Sequence, residues 1–414
     1  MIERSDKKRL LSNFFSLASL QGVNYILPLL TFPYLVRVLG IEYFGLLAFA
    51  TALISYFNII TDYGFNLTAT REISIHRENK EKVIEIFSAV MSIKMILMIF
   101  SFLLLASIVF TFDKLAKDWE VYLISFGLVI GQALFPVWFF QGMEKMKYIT
   151  YLNIVAKSIF TVAIFVFVQE KSDFYLVPLF TSLGFVLVGF WSLWIIHNHF
   201  NVQFRMQSSE RLKHYLVDGW DLFKAQMFVN LYRATNVLLL GILTNTTTVG
   251  YYSIAERIIN VVVGLFIPAN QAIYPFMAKL YQNKKIEFML FLKKVSFVYL
   301  GISSFLFLIM YIFTEEIIIF VNGSMCNEIE EIYYILLFLI FTTPFSTLYG
   351  QVMVTKLQSK KISQIVRDIM ILNIILVPLG IMFWNTIGMV IVVVALQYFI
   401  IWRYFVEIYR RESL

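Results

Sequence analysis

Residues 222–243, LFKAQMFVNLYRATNVLLLGIL, and residues 250–275, GYYSIAERIINVVVGLFIPANQAIYP, decide the fold. Each is apolar and long enough, at about 1.5 Å per helical residue, to cross a hydrocarbon layer of roughly 30 Å. Each also carries charge that lipid rejects: Arg233 near the middle of the first, and Glu256 with Arg257 well inside the second. A charge at the centre of a membrane helix costs about 2.5–3.5 kcal/mol on insertion scales. Three such groups in neighbouring segments predict helices that face a polar interior, and the remaining chain is what would wrap it.

The composition agrees. The chain of 414 residues is 59% hydrophobic and only 15% charged, whereas a soluble domain holds about 25% charged residues. This is the composition of a polytopic membrane protein, with no long polar block to form a separate soluble domain. The single cysteine, Cys326, excludes an intrachain disulfide and a multi-cysteine metal site. The four histidines, His197 and His199 among them, lack metal-ligand spacing. No metal and no cofactor is expected. Arg4, Lys7, Lys8 and Arg9 precede an apolar run without a small-residue cleavage site, so this start is read as a retained first helix.

Twelve spans are predicted: 11–35, 46–68, 87–111, 121–140, 151–168, 174–196, 222–243, 250–275, 295–313, 332–354, 369–384 and 388–404. With the N-terminus inside, the cytoplasmic segments hold about 25 of the 34 lysines and arginines, and the opposite side about 4. Both termini are therefore expected in the cytoplasm. The basic loops also account for the net charge of +7 without nucleic acid as a partner. Trp119, Trp191, Trp194, Trp220, Trp384 and Trp402 fall near span ends, as an aromatic belt requires.

An even division suggests two six-helix bundles, 1–204 and 205–414, joined by the polar stretch 197–221. Gly45-Leu-Leu-Ala-Phe-Ala50 in one half and Gly250-Tyr-Tyr-Ser-Ile-Ala255 in the other form a faint echo. All eight prolines fall inside predicted spans, which suggests bent helices around a cavity. Residues 314–331, carrying Glu315, Glu316, Glu328, Glu330 and Glu331, are expected to be a solvated outer loop.

Six charges lie inside spans, away from the first and last few residues: Asp62, Lys94, Lys157, Arg233, Glu256 and Arg257. Arg233 is too deep to snorkel, so Arg233 and Arg257 are the leading candidates for a cationic cavity. Lys94 and Lys157 join them unless they snorkel to the inner headgroups. Asp62 and Glu256 are candidates for ion coupling or charge pairing, Glu256 with Arg233 in particular. Four basic groups against two acidic favour an anionic ligand, and guanidinium suits phosphate through its planar fork of donors. Asn24, Gln132, Asn260, Asn270, Gln271 and Gln397 are placed either to hydrogen-bond sugar hydroxyls or to join helices. There is no phosphate-binding glycine loop, no paired His and Glu of zinc-protease type and no large outer loop for a catalytic centre.

Several motifs carry a family likeness. Arg37-Val-Leu-Gly-Ile-Glu-Tyr-Phe-Gly45, Asp62-Tyr-Gly-Phe65 with Arg71-Glu72, and Phe135-Pro-Val-Trp-Phe-Phe-Gln-Gly-Met-Glu144 resemble the O-antigen flippase (Wzx) family. So do Gly250-Tyr-Tyr-Ser-Ile-Ala-Glu-Arg257 and Pro268-Ala-Asn-Gln-Ala-Ile-Tyr-Pro275. The resemblance implies the multidrug/oligosaccharidyl-lipid/polysaccharide (MOP) exporter superfamily: twelve transmembrane helices in two six-helix bundles around a central V-shaped cavity. It further implies transport of an undecaprenyl-pyrophosphate-linked oligosaccharide across the bacterial inner membrane, beside a polysaccharide polymerase and chain-length regulator. Two alternatives stay open: a multidrug or cation antiporter of that superfamily, which the positive deep charges disfavour, and a membrane enzyme of the same pathway, which would need a larger outer loop.

Overall fold

A computed structural model describes the backbone of residues 4–410. It describes the side chains of residues 27–410, apart from 221, 225, 226, 228–233, 272, 275, 283 and 359. The described residues are helical, with no strand, and nine of their helices are long and apolar enough to cross a membrane. The buried share of the apolar window runs from 61% in Trp119–Gly142 down to only 17% in Lys285–Ile312. Such a helix would expose an apolar flank to water, so the chain is a multi-pass membrane protein whose outer solvent is lipid.

The chain divides into two compact units, Met1–Leu39 with Ala50–Asn230, and Gly40–Phe49 with Leu231–Leu414. Unit 1 holds most of α1 (Arg4–Asp62), α2 (Phe65–His76), α3 (Lys80–Thr111), α4 (Asp113–Ala116), α5 (Trp119–Ser125), α6 (Gly127–Leu134), α7 (Val137–Gly142), α8 (Met146–Phe167), α9 (Leu176–Phe200) and the start of α10 (Ser209–Leu243). Two left-handed residues in succession, Tyr63 (φ 49°) and Gly64 (φ 79°), separate α1 from α2. Asn79 starts α3, its side chain accepting from the Lys82 amide at 3.1 Å. Gly127 and Gly131 let α6 lie close on α9, where an added Cβ would come within 2.6 Å of Ser182 and 2.5 Å of Phe185.

The Phe135–Glu144 motif turns out to be the core of this unit. The predicted span 121–140 lies within one membrane-length stretch, Trp119–Gly142, made of three helical segments, α5, α6 and α7; α6 ends because Phe135 is extended and Pro136 has no N–H with which to continue it. Trp138, Phe139 and Phe140 on α7 are fully buried, and Phe87 of α3 lies 5.7 Å from the Phe139 ring. Gly142 presses on Ile73 of α2, while the Thr70 hydroxyl donates to the Trp138 carbonyl at 3.2 Å. By contrast α1 runs on through Pro28 and Pro33 and breaks instead at Gly40 (φ 76°, ψ 171°), where it is two helices joined across a kink.

Unit 2 holds the segment Gly40–Phe49, the end of α10, α11 (Thr246–Gly264), α12 (Phe266–Asn283), α13 (Lys285–Ile312), α14 (Thr314–Asn322), α15 (Asn327–Leu336), α16 (Leu339–Thr355) and α17 (Ser359–Arg410). Pro344 and Pro378 lie inside α16 and α17; the break in α17 falls at Trp384 and Asn385, where the sequence places a hairpin. Glycines seat Gly40–Phe49 on α10 and α11. A Cβ on Gly45 would stand 1.9 Å from the Thr246 carbonyl oxygen, one on Gly250 2.2 Å from that of Ile41, and one on Gly241 2.1 Å from the Phe49 ring.

Two expectations fail here. Residues 314–331 are not a loop: α14 and the start of α15 are helices around Gly323 (φ 87°), because Ile318 and Ile329 find fully buried seats on their apolar sides. The polar connector is also shorter than predicted. α9 reaches Phe200 and α10 begins at Ser209, leaving 201–208 outside helices.

Candidate functional site

In unit 1 the structure brings two predicted charges together. Lys94, on α3, is 4% exposed. Its Nζ lies 3.5 Å from Oδ1 of Asp62, the last residue of α1. Asn66, one turn on and past the break, donates from Nδ2 to the same oxygen at 2.9 Å. Lys94 is thus buried beside a carboxylate and does not snorkel toward the headgroups. Asp62 keeps partial exposure, with 24% of its side chain accessible. Asn66 was not among the predicted residues, although its place four positions after Asp62 is a local cue.

In unit 2 Glu256 and Arg257 lie on α11. Glu256 is half-buried and accepts from the Tyr252 hydroxyl at 2.9 Å, while Arg257 is exposed. A hydroxyl donor one turn away gives the carboxylate a neutral partner within its own helix. The Arg233 side chain lies outside the described residues, and so does any pairing of it with Glu256. Lys157 is half-buried on α8. Asn24 also lies outside the described side chains. Asn270 is buried and accepts from the Tyr299 hydroxyl at 3.2 Å, which places it among the joins between helices.

Some polar contacts have no cue in the sequence. Asn373 of α17 donates from Nδ2 to Oδ1 of Asn236 on α10 at 2.9 Å, with both residues buried. In unit 1 the connector and the start of α10 are clasped by charge: Arg205 Nη1 pairs with Glu81 at 2.8 Å and Arg71 Nη2 with Asp218 at 2.9 Å. The Tyr215 hydroxyl donates to Glu85 at 3.2 Å, and burial, together with that carboxylate, holds it above the usual phenol range. Stacking completes the clasp, with the Tyr63 ring 4.6 Å from Phe223 at 12°. No group of three or more His, Cys, Asp or Glu among the described residues could hold a metal ion.

This architecture has solved counterparts. A multidrug resistance MATE family transporter of the MOP superfamily, in an inward-facing conformation, matches with a TM-score of 0.69 at 12% identity, covering 94% of this chain and 99% of that one. The lipid II flippase MurJ, in an inward closed conformation, matches with a TM-score of 0.70 at 14% identity, covering 97% of this chain and 87% of that one. The chain shares the fold of these two transporters.

Sequence comparison narrows the class. The family model described as "Polysaccharide biosynthesis protein" matches residues 10–281. A protein of Escherichia coli (strain K12) named "Putative O-antigen transporter" is 31% identical over 396 residues, 95% of each chain. A Shigella dysenteriae protein of the same name is 28% identical over 272 residues, 65% of this chain and 67% of that one. The chain belongs to this polysaccharide biosynthesis family, as its motifs led us to expect.

Proposed function

We propose that this protein is a flippase that carries undecaprenyl-pyrophosphate-linked O-antigen repeat units from the cytoplasmic to the periplasmic leaflet of the bacterial inner membrane. The observation that carries this reading is the likeness, along 95% of both chains, to a protein named as an O-antigen transporter. The charges supply its chemistry. Twelve spans, with both termini cytoplasmic, form two six-helix halves, 1–204 and 205–414, around a central cavity. Arg233, Arg257, Lys94 and Lys157 receive the diphosphate and sugars there while the polyprenyl tail stays in lipid. The halves rock in alternation to expose the headgroup outside, and Asp62 or Glu256 is the candidate for coupling to an ion gradient. The cargo then meets a polysaccharide polymerase and chain-length regulator. No covalent step and no cofactor enters this scheme.

Deletion of the gene tests it. Lipid-linked repeat units stalled on the cytoplasmic leaflet, with loss of O-antigen and rescue by the wild-type chain, are expected. Intact O-antigen in the deletion strain, or dye efflux as its only lost activity, overturns the reading in favour of a drug or cation exporter.

A further inference from the structure

The tip of the α17 hairpin presents side chains that the packing of unit 2 does not use. Gly380 and Gly388 clamp its two arms together: a Cβ on Gly380 would stand 2.7 Å from the Gly388 carbonyl oxygen, and one on Gly388 would press on the Gly380 carbonyl. Ile381 and Thr386 are buried, and between them Met382, Phe383, Trp384 and Asn385 are all exposed. Beside this tip, where α10 gives way to α11, lies a cleft of about 620 Å³, a size that suits a small ligand. Phe383 and Trp384 give it aromatic rings, while Thr244, Asn245, Thr248 and Asn385 give it amides and hydroxyls. No ionisable side chain lines it among the described residues.

Both asparagines carry more than the backbone asks of them. Asn385 holds φ 52°, in the left-handed region where glycine rests most easily, so an amide is kept where glycine would relieve strain. Asn245 caps α11 through Oδ1, which accepts from the Thr248 amide at 2.9 Å and the Thr248 hydroxyl at 3.0 Å; the cap employs the oxygen of that amide and not its N–H donors. An anion in this cleft would meet no countercharge, and an acyl chain would strand the amides. A neutral ring with one apolar face and a hydroxylated edge matches the lining. We infer that the cleft is a glycan subsite on the outer face of unit 2, in which an uncharged sugar ring stacks on Trp384 and accepts hydrogen bonds from the Asn245 and Asn385 amides. This rests on the proposed cargo and on the topology proposed with it, which puts both segments outside. It gives the sugars a seat distinct in chemistry from the cationic one assigned to the diphosphate. The rival role for Trp384 is an interfacial anchor, which has no use for either asparagine amide.

The test uses the full chain in phosphatidylcholine nanodiscs, with calorimetry as the readout. The probes are the repeat-unit oligosaccharide of the strain that carries this chain, freed from its diphosphate by mild acid, and inorganic pyrophosphate. Asn385→Gly relieves the left-handed residue and Asn245→Asp keeps the cap, so both should melt no lower than wild type. Each removes amide donors and is expected to weaken the oligosaccharide about three- to tenfold, the worth of one hydrogen bond. Trp384→Ala is expected to weaken it about tenfold, and Trp384→Tyr to recover most of the loss. Pyrophosphate binding should follow none of these changes. A wild-type chain that binds no oligosaccharide, unchanged affinity in either asparagine variant, or pyrophosphate binding that falls alongside overturns the inference. Loss confined to Trp384→Ala leaves only the interfacial anchor and overturns it too. If Trp384→Ala fails to fold, the asparagine variants decide alone. Should the deletion strain lose its O-antigen while the cleft fails these tests, the flippase reading stands without the subsite. Should the strain keep its O-antigen while binding and its pattern across the variants persist, the cargo is wrong and the subsite stands.

Discussion

Adding one methyl group at Gly250 tests the packing of unit 2 at its tightest place. The Cβ of Gly250→Ala would lie 2.2 Å from the Ile41 carbonyl oxygen and 2.7 Å from Ile41 Cγ2; that of Gly45→Ala would lie 1.9 Å from the Thr246 carbonyl oxygen and 2.6 Å from the Gly250 nitrogen. Against a floor of 3.0 Å the shortfalls are about 0.8 Å and 1.1 Å, and the nearest atoms are main-chain, so no flexible side chain can yield. The two helices must separate. Overpacking of this kind costs about 1–3 kcal/mol, and both substitutions belong at the upper end. Alanine recovers about 1 kcal/mol of helix propensity, which leaves each variant destabilised by roughly 2 kcal/mol. Because both methyl groups push the same helices apart, the double variant should lose less than the sum. Gly301 is the control: a Cβ there meets nothing within 4 Å, so Gly301→Ala gains propensity and loses nothing. Thermal inactivation of the detergent-purified chain measures all four. Wild-type midpoints for Gly45→Ala and Gly250→Ala, or a double variant that loses the full sum, would refute the close approach.

Three other outcomes follow from single contacts. Asn373→Leu strands the Asn236 amide that it meets at 2.9 Å in a buried setting, a loss of about 1–3 kcal/mol that Asn236→Leu/Asn373→Leu should largely recover in the same melting assay. Tyr63→Ala removes both the stack on Phe223 and the hydroxyl bond to the Leu216 carbonyl at 3.2 Å. The start of α10 should then loosen and, with it, the connector it anchors, giving faster tryptic cleavage at Arg205 than in wild type. The Cys326 thiol is pushed up by burial, with the nearby Glu328 carboxylate acting in the same direction. A raised pKa means less thiolate at neutral pH. Iodoacetamide should therefore label Cys326 slowly near neutrality, at a rate still climbing where an ordinary thiol has levelled off, and Glu328→Gln should move the curve toward lower pH.

Membrane-length helices were legible in the sequence because lipid asks only for length and hydropathy. What was lost is everything that depends on a neighbour distant in the chain. Residues 314–331 read as a solvated loop from their glutamates, yet Ile318 and Ile329 have buried seats that no local pattern reveals. The division of 121–140 had a visible cause in Pro136, but proline is common in membrane helices and only the extended Phe135 shows that this one ends a helix. The in-span charges were legible as residues and not as pairs: Asp62 and Lys94 are 32 positions apart, and helical period predicts a face without naming what it meets. The same holds for Asn236 and Asn373, 137 positions apart.

Helix breaks and charges are each costly in hydrocarbon, since both present polar groups that lipid cannot satisfy. The structure handles three breaks in three ways. At Phe135–Pro136 the chain is sealed by Trp138, Phe139 and Phe140, all fully buried, and a threonine hydroxyl takes the Trp138 carbonyl. At Trp384–Asn385 it stands open, with Trp384 70% exposed at the tip of a hairpin where an aromatic ring suits the interface. At Tyr63–Gly64 aromatic burial is joined by charge: Tyr63 and Phe65 are buried, and beside them lie Asp62, Asn66 and Lys94. The Gly64 carbonyl accepts from the Leu67 and Thr68 amides at 3.0 and 3.2 Å while Asp62, Asn66 and Lys94 pair with one another, so the turn and the charges are each satisfied locally. The left-handed Tyr63 adds strain, which its stack on Phe223 at 4.6 Å and its hydroxyl bond to the Leu216 carbonyl at 3.2 Å offset.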